Sequence, residues 1–94
     1  MGSQTARHNR KEAKVFNERK NEVAAQIREK RFYMGLQAKD VYGPIKMNPG
    51  QYTRIEQGEL DGARVLKYVD QIFQEWKLKE IKRLIAKIEY LQSL

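Results

Sequence analysis

The sequence predicts an all-α protein, a bundle of five helices with a long last one, on three observations. Apolar residues recur at helical spacings of three and four in the flanks of the chain. Both flanks, residues 11–34 and 63–94, lack glycine and proline altogether. Between them the stretch 35–58 carries the start and stop signals of two short helices.

Residues 1–10 are polar and without periodicity, and read as a flexible basic arm. From Lys11 the pattern turns helical, with Phe16, Val23, Ile27 and Met34 on one side and Ala24 and Ala25 beside them. The polar run Asn17 to Glu22 predicts a weaker first piece, so the first full helix is expected to start near Asn21. Gly35-Leu36 closes it, and a short amphipathic stretch follows to Gly43-Pro44, where proline ends the second helix early. Asn48 is a good N-cap, Pro49 suits the first helical position, and Gln51 stands where its side chain can close a capping box. Gly58 is a left-handed stop for this third helix. Two short helices joined by a tight turn form the core of a helix-turn-helix.

The fourth helix carries Val65, Val69, Ile72 and Trp76, with Leu66 and Phe73 completing its packing face. The apolar phase then fails at Lys79-Glu80 and resumes through Leu78, Ile81, Leu84, Ile85, Ile88 and Leu91. That shift predicts a bend or break near residues 74–77 and a separate fifth helix. The organisation expected is an arm over 1–10, one domain over 11–76, and a terminal helix over 77–94.

Composition narrows the function. There is no cysteine and one histidine, His8, so neither a disulfide framework, nor thiol chemistry, nor a zinc-ligand cluster is expected. No histidine, cysteine or carboxylate constellation suggests an enzyme, and no cofactor is expected. No apolar run reaches the roughly 20 residues of a membrane span, and no signal peptide is visible, so a cytoplasmic protein without membrane contact is the simplest expectation. Nineteen Lys/Arg stand against twelve Asp/Glu, a net charge of +7 that favours an anionic partner. The excess lies in the flanks: residues 1–34 carry nine basic and four acidic residues, 35–62 three and four, and 63–94 seven and four.

The segments Ile27-Arg28-x-x-Arg31-x-x-x-Gly35-Leu36 and Tyr52-Thr53-Arg54-Ile55-Glu56-Gln57-Gly58 resemble the Cro/repressor-type (XRE-like, lambda-repressor-like) helix-turn-helix family. The likeness runs without a gap from Ile27 to Gly58 and more loosely to Phe73. It departs from the family pattern at Ala38, where glutamine is usual, at Tyr42, where a small alanine is usual, and at Lys46, where the turn usually has glycine. The resemblance implies a five-helix domain, an Arg31–Glu56 pair between the first and third helices, and a recognition helix at about 48–57 in the major groove of double-stranded DNA. The core expected within the motif is Leu36, Val41, Ile45, Met47, Tyr52 and Ile55, with the Tyr52 hydroxyl needing a partner or an outlet to solvent.

On that reading Gln51 and Arg54 read bases, and Gly50 allows close approach of a backbone whose first-turn N–H groups face a phosphate. Asn48 caps the recognition helix. Lys39, Lys46 and Thr53 are candidate phosphate contacts, with Gln37 standing in for the amide missing at Ala38. Lys30 matches a phosphate-touching position of the family. Arg7 and Arg10 belong to an arm that follows the DNA backbone or enters a minor groove. The function expected is sequence-specific binding by a small transcriptional regulator such as a repressor.

Ile81, Leu84, Ile85, Ile88 and Leu91 form a heptad-like stripe beyond the compact domain, expected to make a homodimer. The alternative is an antitoxin-like or adaptor protein whose terminal helices capture a partner protein.

Overall fold

The computed structural model describes the backbone of residues 2–94 and the side chains of residues 17–94. Among the described residues the chain forms four helices and no strand: α1 (Gly2–Tyr33), α2 (Ala38–Tyr42), α3 (Pro49–Glu56) and α4 (Ala63–Ser93).

Local chemistry sets the ends of the short elements. Gly35 (φ +68°) and Gly58 (φ +80°) adopt the left-handed conformation that ends a helix cheaply only in glycine. At each the chain doubles back on the carbonyls of the last turn: Leu36 N–H donates to Arg31 O at 3.1 Å, and Glu59 N–H to Arg54 O at 2.9 Å. A third turn of this kind closes α2. Met47 N–H donates to Tyr42 O at 2.9 Å and Lys46 N–H to Gly43 O at 3.0 Å, with Lys46 itself at φ 54°. Lysine thus adopts the conformation that the family's usual glycine would favour.

Ile27, Val41, Tyr52, Ile55, Val65 and Val69 form the buried core, to which all four helices contribute. Leu36, Ile45 and Met47, expected inside, are only half-buried against it. Gly62 lets α4 start against this core, because a methyl there would lie 2.6 Å from Ile55 Cγ2 and 3.1 Å from Ile27 Cδ1. Tyr42 lies on Tyr52, ring centroids 5.7 Å apart and tilted by 52°, so an aromatic pair fills the α2–α3 contact.

Two expectations about helix boundaries are corrected. α1 is one helix from Gly2, so neither the break before Asn21 nor a non-helical lead over residues 2–10 is seen in the backbone. α4 runs unbroken through residues 74–77, giving four helices where five were expected. The phase shift in α4 falls within one continuous helix, between a part packed on the core and a part exposed to solvent. Val65 and Val69 are buried, Ile72, Phe73 and Trp76 are half-buried, and every residue from 81 to 94 is exposed. Among the described residues the second stripe is exposed, so no break is needed to aim it at the core. The result is a helical head with an arm, 76 × 27 × 16 Å overall.

Candidate nucleic-acid interface

The polar face of α3 is built from its first residue. Asn48 is extended (φ −64°, ψ 132°), and its Oδ1 accepts from Gly50 N–H at 2.8 Å and Gln51 N–H at 3.2 Å, while Pro49 has no donor to satisfy. This modifies two expectations. Gln51 meets the cap through its backbone N–H, and the N–H groups of Gly50 and Gln51 are already donated to Asn48 instead of facing outward. A carboxylate-to-backbone contact of the capping-box kind occurs at α2, where Asp40 Oδ2 accepts from Gln37 N–H at 2.8 Å.

Tyr52 and Ile55 turn inward, leaving Pro49, Gly50, Gln51, Thr53 and Arg54 exposed on one helix. Thr53 Oγ1 donates to Pro49 O at 3.0 Å, so its hydroxyl is held against its own helix. Arg54 Nε donates to Glu59 Oε2 at 3.1 Å, and both side chains are more than half exposed. Gln37, Lys39 and Lys46 are also exposed, on α2 and its two flanking turns.

Behind this face, α3 is tied to α1. Arg31 Nε donates to Glu56 Oε1 at 2.8 Å, and its Nη1 donates to Leu36 O at 3.1 Å. Burial works against the Arg31 charge, but the hydrogen bond and charge of Glu56 more than offset it and hold the guanidinium above its ordinary pKa. Arg28 donates to the Glu56 carbonyl from the same side. The Tyr52 hydroxyl lies within reach of both groups of the pair, yet makes no well-formed hydrogen bond among the described residues. Burial pushes its phenol well above the ordinary range, Glu56 adding to the effect and Arg31 opposing it.

Lys30, expected at phosphate, is instead held on α4, paired with Asp70 and 5.7 Å from the centroid of the Phe73 ring. Its charge is largely answered within the protein. The side chains of Arg7 and Arg10 lie outside the described residues. Sequence reasoning missed Arg28, Glu59 and Asp70. Only Glu59, an acid directly after the α3 stop, left a local signal.

Among the described residues no group of three or more His, Cys, Asp or Glu is placed to hold a metal ion, and no helix is long and apolar enough to cross a membrane. Comparison with protein-family models, curated proteins and solved structures finds no match.

Proposed function

We propose that the chain is a sequence-specific double-stranded DNA-binding protein, a small transcriptional regulator of the Cro/repressor helix-turn-helix kind that places α3 in the major groove. One observation carries the reading: α3 is capped by Asn48, braced by Arg31–Glu56, and still presents Gln51 and Arg54 to solvent. A brace of this kind fixes orientation more than it adds stability. Fixed orientation is what readout of base edges by an amide and a guanidinium demands.

Lys39 and Lys46 flank α3 as phosphate contacts, and Gln37 at the α2 start supports them. Tyr42, a departure from the family pattern, packs its ring on Tyr52 at the α2–α3 crossing. Selection of bound sequences from a random duplex pool tests the proposal. An enriched motif, with affinity falling steeply between about 50 and 200 mM salt, supports it. Binding no stronger than that of an unrelated basic protein overturns it. An adaptor or antitoxin-like role through a partner protein is the second reading, favoured by the uncovered apolar arm of α4.

A further inference from the structure

Leu78, Ile81, Leu84, Ile85, Ile88 and Leu91 are 45–61% exposed, and Leu94 at the end of the helix is 84% exposed. Large apolar side chains exposed together along one helix are the kind of surface that marks an interaction site. We propose that a second copy of this chain covers the arm, and that the two arms pair antiparallel about Ala86.

The spacing of the stripe allows the helix to pair with its own reverse. Leu78, Ile81 and Leu84 lie eight, five and two residues before Ala86, and Ile88, Leu91 and Leu94 lie two, five and eight after it. Reversal of the helix about Ala86 therefore superposes these six apolar positions on one another, while Ile85 falls level with Lys87. Leu78 falls level with Leu94 of the second copy, Ile81 with Leu91, and Leu84 with Ile88, while alanine at the centre allows close approach. A parallel pair in register would also set apolar positions on apolar ones, so charge separates the two directions.

Charge selects the antiparallel arrangement. Residues 77–83 hold four basic side chains and one acidic, whereas residues 84–94 hold one of each. Parallel arms would set the basic segments side by side. Antiparallel arms lay each beside the neutral end of the other, bring Arg83 level with Glu89, and oppose the two helix dipoles. The heads then stand at opposite ends of the pair, clear of one another. The pairing does not depend on DNA binding, and either can fail alone.

A chain without native cysteine suits a crosslinking test. Ile81→Cys and Leu91→Cys variants of the full chain are oxidised separately and as a mixture, beside sedimentation of the unmodified protein at tens of micromolar. The expected result is a dimer in sedimentation, a crosslink in the mixture only, and little crosslink in either variant alone. Ile88→Asp should abolish the dimer while leaving helix content and unfolding of the head intact, since the buried core lies wholly within residues 24–69. Efficient crosslinking of each variant with itself would show parallel arms and overturn the proposal. So would a monomer in sedimentation, or a dimer that survives Ile88→Asp.

Discussion

Arg31 Nε meets Glu56 Oε1 at 2.8 Å, and through this contact the last turn of α1 holds the last turn of α3. Since Arg31 also donates to Leu36 O, one side chain fixes α3 and the turn leading to α2 together. The side chains are 27% and 13% exposed, between the limits of a surface pair and a fully buried one. Glu56→Ala should therefore cost about 2 kcal/mol, less than a fully buried pair would lose. Replacing both residues, Arg31→Met with Glu56→Leu, should recover much of that loss because no unpaired charge remains. Urea unfolding of the single and double variants measures it. Equal effects below about 0.5 kcal/mol would show the brace to be no more than a surface pair.

Beside that pair, the Tyr52 hydroxyl is buried and makes no well-formed hydrogen bond among the described residues. Tyr52→Phe removes the unsatisfied group and keeps the ring against Tyr42, so stability should be unchanged or rise by about 1 kcal/mol at neutral pH. The pH dependence has a definite sign. The phenol is raised in the folded state, so the folded chain holds this proton more tightly than the unfolded one. That contribution is fully present below the ordinary tyrosine pKa of about 10, and is lost as pH rises from there toward the folded value. The parent protein should accordingly weaken faster than Tyr52→Phe above about pH 10 in matched unfolding curves.

The turn between α2 and α3 carries two opposite strains. Lys46 at φ 54° adopts a conformation that costs a residue with Cβ about 1–2 kcal/mol, part of which glycine forfeits in the unfolded state. Lys46→Gly should therefore stabilise the fold by about 0.5–1 kcal/mol, whereas Lys46→Ala should not. If Lys46 contacts phosphate, both changes reduce the salt slope of duplex binding by about one. Gly43 is the converse. It keeps helical angles (φ −60°, ψ −56°) directly before Pro44, where a Cβ would clash, and an added methyl would lie 2.7 Å from Lys39 O. Gly43→Ala should cost about 1–3 kcal/mol in thermal or urea unfolding.

What the sequence made legible is what neighbours in sequence decide. Asn48-Pro49, Gly35 and Gly58 fix their helix ends through bonds to residues within five positions, and each lies where the residue pattern predicts. The Arg31–Glu56 contact was accessible through the family resemblance alone, since twenty-five residues separate the partners. Asp70 captures Lys30 from forty residues away, and no local pattern announces it. The expected break in α4 failed for a different reason. A shift in apolar phase says that the apolar face turns, and a continuous helix packed over its first half and exposed over its second satisfies it as well as a broken one.

Arg54 tests the interface most directly, because in the free protein it is already engaged. Its Nε donates to Glu59 Oε2 at 3.1 Å across the left-handed turn at Gly58. Both groups are exposed, so the pair contributes about 0.2–1 kcal/mol to stability at most and yields readily to a competing acceptor. A base edge or phosphate approaching Arg54 has to displace this carboxylate and tolerate its charge nearby. Glu59→Gln should thus leave unfolding within about 0.5 kcal/mol of the parent and tighten duplex binding at low salt. The gain should shrink as salt screens the carboxylate. Arg54→Ala should cost roughly 1–3 kcal/mol on the preferred sequence and flatten the preference among sequences. In the double variant Arg54→Ala with Glu59→Gln, only the long-range part of the Glu59 effect should survive. Fluorescence anisotropy with the four proteins on preferred and scrambled duplexes separates these effects. An Arg54→Ala protein that keeps its sequence preference would remove Arg54 from the reading face and leave Gln51 to account for it.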